Sequence, residues 1–571
     1  MKKFWEKHSL GKVLSILFVL ALLLSWVIPT GSFKGSEFVD NGLLRIGIVD
    51  IGNMLYYVIA MAIDKILYLL ALGAFYGILT KIPAYQKIVT TIAKKLKGKE
   101  ILFTVLVSLF LTVFTSLCSS SYASLIFVPF VINVLASMKL DKLTVLVSTF
   151  GSILIGTLGA TIGTEGLYWL NYYLANNAAV DFMKDGMIYR VIILVVGILL
   201  FNFFTITHMK KSLKDKKNEI VEDLYEVSEV KGKVRIWPII VILVIVALFT
   251  ILGFTKWNES FGIEIFDNFH AWLTELTVGK DATIFSYILG NSAAALGSSD
   301  FSLFTMISIL LLFTLILTIM SRFDFEKIIL SILEGIKKIS KPVLVLSVAY
   351  TIFTIFYLSP MMNTIVNALM PVDGKPNINI DYKGSGIAYF NIDTNEDGKA
   401  DKNIVNNGDD CKINCDTDND GYPDKNLDFD GNGKVDANDE NIMDTFTGQS
   451  TTNFDTDGDG LPDINVDTDF SIAGATIASF VSSAFHLDLN YTAYSLADYM
   501  VSGFGANLSI LFLILLTMYG YAQFILPTSA ILIIGLTYTN VEYKTWVKYI
   551  WKFLVGMLVC LLAIYLLKFY L

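Results

Sequence analysis

The sequence predicts an all-α polytopic membrane protein, and three observations carry that prediction. Of its 571 residues, 54% are hydrophobic and only 17% charged, with a mean hydropathy of +0.60, far from the balance of a soluble domain. Apolar runs recur along the chain at the length a bilayer crossing needs, about 20 residues. Lysines cluster in every second connection, as the positive-inside bias requires of cytoplasmic loops.

Taken in order, the start (Lys2, Lys3, Lys7, Lys12) is cytoplasmic, so a first span over about 11–29 runs outward. Its long apolar core, with no small-residue cleavage site before Trp26 and Pro29, reads as an uncleaved span and not a signal peptide. A span over about 54–80 returns to a loop, 81–100, that carries six lysines. Two apolar arms, 101–117 and 122–138, follow, joined at LCSSSY, and Lys139 and Lys142 bring the chain back inside. Span 143–163 runs out and 187–207 returns to HMKKSLKDKK, which opens a charged linker. Span 237–255 runs out, 256–300 is mixed (an interfacial helix with a partial span), and 301–320 returns to Arg322, Lys327, Lys337 and Lys338. Residues 342–369 run outward, the chain re-enters from about 471 with a broken apolar pattern to 540, and 553–571 is the last span.

This order divides the chain into a first transmembrane half, 1–207, with an inner hairpin over about 101–138, and a cytoplasmic linker, 208–235. The second half is 236–370 and 471–571, interrupted by an extracellular insert, 371–470. Each half offers scaffold spans, paired short arms and a span broken by small polar residues. The arms enter from inside in the first half and from outside in the second, the signature of an inverted-repeat transporter with re-entrant hairpins and broken helices.

The polar breaks are the candidate solute and ion sites. In FTSLCSSSYASLIF (114–127), Ser119, Ser120 and Ser121 interrupt an apolar run. A hairpin tip there would offer amides and hydroxyls to an anion, whereas two full spans would make it an ordinary outer turn. In GTLGATIGTEGL (156–167), three glycines loosen the helix, and Thr157, Thr161 and Glu165 supply the hard oxygens that Na⁺ prefers; close helix packing through small residues is the alternative. In YGYAQFILPTSAILIIGL (519–536), Pro527 frees a carbonyl, Thr528 and Ser529 are placed to cap the resumed helix, and Gln523 lies one turn earlier. The stretch 479–500 is either an outer hairpin or a surface loop.

These stretches resemble the YfcC-type permeases of the ion-transporter superfamily, which includes arginine/ornithine antiporters and dicarboxylate carriers. The resembling residues are SWVIPTGSF (25–33), YASLIFVPFVINVLASMKLDKLTVLVSTFGSILIGTLGATIG (122–163) and QFILPTSAILIIGLTYTNVEYKTWVKYIWKF (523–553). The resemblance implies that Ser119, Ser120, Ser121, Thr157, Thr161, Gln523, Thr528 and Ser529 contribute to substrate and cation sites. The chain departs from the pattern in carrying serines at the first tip, where many relatives have acidic residues, and in lacking a Gly/Ser-rich second tip.

The insert has a different chemistry. Residues 371–470 hold 22 Asp, 2 Glu and 7 Lys, a net −17, while the rest of the chain is net +8. Four units repeat within it: DTNEDGKAD (393–401), DTDNDGYPD (416–424), DFDGNGKVD (428–436) and DTDGDGLPD (455–463). Each places oxygen-bearing side chains at its first, third, fifth and ninth positions and Gly at the sixth, the spacing that wraps a loop around Ca²⁺. The expected ligands are Asp393, Asn395, Asp397 and Asp401; Asp416, Asp418, Asp420 and Asp424; Asp428, Asp430, Asn432, Asp436 and Asp439; and Asp455, Asp457, Asp459 and Asp463. The units resemble thrombospondin type 3 and dockerin loops. Cys411 and Cys415 are either a tight disulfide or two free thiols.

Function follows as a secondary transporter of a small carboxylate-bearing solute, an amino acid or a dicarboxylate, coupled to Na⁺ or H⁺ or exchanging one solute for another. The expected partners are that solute and the lipid bilayer of the cell membrane, with no nucleic acid; a homodimer is the oligomer to test. The chain has no P-loop, no HExxH and no Cys/His metal cluster, which argues against an enzyme. The competing class is a membrane-anchored, calcium-dependent adhesion or scaffold protein. Anchoring needs one span, so polar breaks in both halves weigh against it.

Overall fold

A computed structural model describes residues 9–34, 37–163, 167, 170–173, 184–214, 219–221, 227–230, 232–278, 282–283, 294, 296–298, 301–371, 377–380, 464–467, 470–487, 489–503 and 507–570. In chain order its main helices begin with α1 (Ser9–Val27), α2 (Ile48–Leu79), α3 (Pro83–Lys95), α4 (Glu100–Leu117), α5 (Val128–Ser137), α6 (Lys142–Leu158) and α7 (Met187–Ser212). After the linker come α8 (Trp237–Phe254), α9 (Ile265–Glu275), α10 (Leu303–Ser321), α11 (Phe325–Leu358) and α12 (Met362–Leu369). Beyond the insert lie α13 (Ile472–Phe485), α14 (Leu489–Gly503), α15 (Leu508–Ala522), α16 (Ala530–Thr539) and α17 (Tyr543–Tyr570). Among the described residues eight helices are long and apolar enough to cross a membrane. The protein is an all-α polytopic membrane protein.

Two helices form the spine. At 32 and 34 residues, α2 and α11 reach about 48 and 51 Å, well past the roughly 30 Å hydrocarbon layer. They cross where a Cβ on Gly73 would lie 2.9 Å from the Gly335 carbonyl oxygen, and one on Gly77 2.4 Å from that of Ser331. Without a hydrophobic drive between helices in lipid, such small-residue contact is what lets two backbones pack. The sequence predicts a span beginning at 342; instead α11 starts at Phe325, with Pro342 inside it and Asp324 capping the Lys327 amide at 2.7 Å. Continuity through Lys337 and Lys338 is compatible with a bilayer because a helix of about 51 Å exceeds the hydrocarbon layer by about 20 Å.

The arms after the spine helices are short. The first hairpin descends α4, turns at 118–120, passes a 3₁₀ turn over Ser121–Ile126 and returns as the ten-residue α5. Counted with the 3₁₀ turn, the return arm runs over 121–137, shorter than the 18-residue α4 that leads into the tip. The second hairpin, α13 and α14, turns at 486–488. A broken helix follows each hairpin: α6 stops at Leu158, and the α15–α16 pair is interrupted at 523–529. The first break thus begins at Gly159, leaving Gly156 and Thr157 helical, later than the predicted 156–167.

The linker lies against the loop lysines through Lys142–Glu219 (3.0 Å) and Lys94–Glu229 ion pairs, and Lys568 meets Asp185 at 3.5 Å. The segment after α1, folded as β1 (Thr30–Lys34) and β2 (Glu37–Gly42), is pinned to α12: Asn363 Nδ2 donates to the Gly31 carbonyl (3.0 Å) and Thr364 Oγ1 to that of Pro29 (2.7 Å). α9 has no buried residue and exposes Phe269 and Trp272, as an interfacial helix would; the partial span expected beside it falls mostly outside the described residues. The edges of the insert pair as antiparallel strands, β3 (Asn377–Ile380) and β4 (Ile464–Asp467). The four calcium-loop units and Cys411 and Cys415 lie outside the described residues.

Candidate functional site

Both hairpins and both broken helices converge on one partly open cavity of about 80 Å³, room for roughly five to eight waters or a small organic anion. The first hairpin contributes Ser120, Ser121 and Tyr122, the first broken helix Leu154 and Thr157, the second hairpin Leu487 and Leu489. Tyr519, Gln523, Ala530 and Ile531 come from the second broken helix, and the spine adds Lys65 and Tyr350.

The first tip is built by main-chain bonds. Ser119 N–H donates to the Phe254 carbonyl at 2.7 Å, which ties the tip to the outer end of α8, and Cys118 Sγ–H donates to the Ser120 carbonyl at 3.0 Å. Thr115 and Ser124 hydroxyls pair at 2.7 Å across the hairpin. Ser120 is different. Its hydroxyl is buried in the cavity wall with no hydrogen-bond partner among the described residues, a state that costs about 1–3 kcal/mol unless a ligand or water completes it.

Each break is laced to its own hairpin by a threonine. Thr161 Oγ1 donates to the Ser116 carbonyl (3.1 Å), and Thr528 Oγ1 to that of Ala484 (3.2 Å). Tyr519 OH donates to the Leu487 carbonyl (3.0 Å), Trp546 Nε1 to that of Phe524 (2.7 Å), and Tyr543 OH to that of Ile525. Two carbonyls left open by the break, those of Phe524 and Ile525, therefore find protein partners, as irregular backbone at membrane depth requires. Ser529 caps α16 by accepting from the Leu532 amide at 3.4 Å. The first turn of α16, including Ala530 and Ile531, faces the cavity, so the positive end of a ten-residue helix dipole is aimed at it. The two broken helices touch at Gly520, where a Cβ would sit 2.4 Å from Leu158 Cα.

Of the nine residues expected to bind solute or ion, four (Ser120, Ser121, Thr157 and Gln523) line the cavity. Ser119, Thr161, Thr528 and Ser529 lie behind it and shape its walls, and Glu165 is outside the described residues. Sequence reasoning missed Lys65, the cavity's cation, which pairs with Asp64 at 3.1 Å. The signal was legible in MAIDKILYLL: a charged pair at the centre of a membrane helix is expensive and marks function. Arg190 was missed as well. It is fully buried and donates through Nε to the Thr161 carbonyl at 3.2 Å.

The model of the DcuC family, described as C4-dicarboxylate anaerobic carrier, matches residues 8–373. The chain belongs to this family. The match to the carrier family ends three residues into the acidic insert. No curated protein matches this chain. Among solved structures, the YdaH transporter of Alcanivorax borkumensis aligns over 98% of this chain and 97% of its own, at 9% identity and a TM-score of 0.34. The carrier is thus a multi-pass membrane protein of a solute-carrier family, whose partners are a small solute and lipid.

Proposed function

We propose that this carrier moves a short dicarboxylate across the cell membrane as a secondary transporter, binding it in the central cavity. The observation that supports this most is the meeting of Lys65, the unpartnered Ser120 hydroxyl and the N-terminus of α16 around one small, partly open space. All three favour a carboxylate: a cation, a hydroxyl donor and a helix end with free amides. Tyr519, Gln523 and Thr157 provide further polar contacts suited to a second carboxylate. Re-orientation of the hairpins and broken helices against the α2–α11 spine would expose the cavity to each side in turn. Movement is driven by an H⁺ or Na⁺ gradient or by a counter-solute, and the chain works as a carrier, not an enzyme.

Uptake of labelled four-carbon dicarboxylates into proteoliposomes tests the reading, with imposed H⁺, Na⁺ or counter-solute gradients run separately. Saturable uptake that amino acids fail to inhibit is expected. Uptake of basic amino acids instead would move the carrier to the antiporter side of the resemblance, and no uptake of either class would overturn the proposal. The insert is proposed to be an extracellular Ca²⁺-ordered module, carried by the spacing of its four aspartate-rich units. Limited proteolysis of the whole chain should spare 381–463 in millimolar Ca²⁺ and cut it in chelator.

A further inference from the structure

In carriers with broken membrane helices, the freed carbonyls commonly hold the coupling cation. At the first break of this chain, Thr161 and the Ser116 carbonyl opposite it are held by protein donors. The Thr161 carbonyl accepts from Arg190 Nε at 3.2 Å, and Thr161 Oγ1 donates to the Ser116 carbonyl at 3.1 Å. That same Ser116 carbonyl also accepts from the Thr161 amide, again at 3.1 Å. Arg190 is 1% exposed, lies over the Phe512 ring at 5.9 Å and donates through Nη1 to the Asp185 carbonyl at 2.8 Å. It reaches the break because α7 runs hard against it: a Cβ on Gly159 would sit 2.6 Å from Leu194 Cα.

We infer that Arg190 is a positioning residue that serves as a built-in cation for the first broken helix, in the place of an exchangeable Na⁺. The guanidinium fixes the Thr161 carbonyl, Thr161 fixes Ser116 on the descending arm, and that arm sets the tip that presents Ser120 to the cavity. A fixed planar cation suits the task, since Arg holds its charge at any working pH and directs its donors at fixed angles. On this inference the Thr161 carbonyl is held by Arg190 without a bound Na⁺, and Na⁺ dependence of uptake arises elsewhere in the molecule. The inference rests on the proposed transport role only for its functional readout.

The test compares the full-length wild type with R190A and R190K in proteoliposomes and in detergent. R190A should lose at least about tenfold in dicarboxylate uptake, recover it saturably in millimolar guanidinium, and show a guanidinium-dependent rise in melting temperature that the wild type lacks; R190K should fall between them. R190A that transports like the wild type would overturn the inference. So would R190A whose uptake and melting temperature ignore guanidinium. Should the wild type carry no dicarboxylate at all, the proposed function fails, while the melting comparison still decides the role of Arg190.

Discussion

The two breaks occupy equivalent places in their halves, yet they are held by different chemistry. Each is tied to its hairpin by one threonine hydroxyl, Thr161 to Ser116 and Thr528 to Ala484. Beyond that bond they diverge. The first break is gripped by a charged guanidinium and by glycines pressed against backbone; the second is held by neutral donors, Trp546 and Tyr543, on the helix that follows it. The two breaks thus share the threonine bond while each satisfies its freed carbonyls by its own means.

The comparison breaks first where backbone meets backbone. A Cβ on Gly163 would sit 1.8 Å from the Leu117 carbonyl oxygen, and one on Gly520 2.4 Å from Leu158 Cα. Gly163→Ala and Gly520→Ala should each lower stability by about 3 kcal/mol or more, read as a large drop in melting temperature in detergent. Lys65→Gln comes next, on binding and also on stability, since it takes the ion-pair partner from Asp64. Losing a charged hydrogen bond of about 1.5–3 kcal/mol should raise the KM for dicarboxylate about ten- to 150-fold. Trp546→Phe leaves the Phe524 carbonyl buried without its donor, about 1–3 kcal/mol. Thr161→Val and Thr528→Val should each cost about 1 kcal/mol, and similar values would show that the shared threonine bond does equal service in both halves. Ser120→Ala removes no hydrogen bond from the unloaded protein, so the melting temperature should hold while dicarboxylate affinity falls about fivefold.

The smallest effect is one of pH. Burial pushes the Asp141 carboxyl up, but hydrogen bonds from His208 (3.1 Å), Thr144 and Ser212 (2.8 Å) outweigh it and hold the group below the usual aspartate range. Its contribution is therefore fully present above about pH 4 and fades as pH falls through the lower folded value. Asp141→Asn should flatten that part of the acid stability curve.

The fold was largely legible because a bilayer imposes its own punctuation. Span length and lysine parity place both ends of α4, the C-terminal ends of α2 and α17 and the start of α7 within a few residues, whereas α17 starts at Tyr543, ten residues before the predicted 553; serine and proline mark both tips and breaks. Continuity was harder to read. Lys337 and Lys338 look like a loop, yet α11 passes through them because only tertiary contact sets how far a helix overhangs the membrane. The site was legible in its polar residues and not in its cation. Hydroxyls in an apolar run announce themselves by contrast, whereas Lys65 hides beside Asp64 as a neutral pair, and Arg190 sits at a helix start where a charge looks like an ordinary surface anchor.

The ribbon at the foot of the acidic segment has a practical consequence. Ile380 and Ile464 are partners in an antiparallel register, with their Cα atoms about 5 Å apart. The host chain therefore leaves and resumes at nearly one point. Residues 381–463 should be exchangeable for a compact domain with adjacent termini, which makes this position a natural graft site for an external fluorescent reporter.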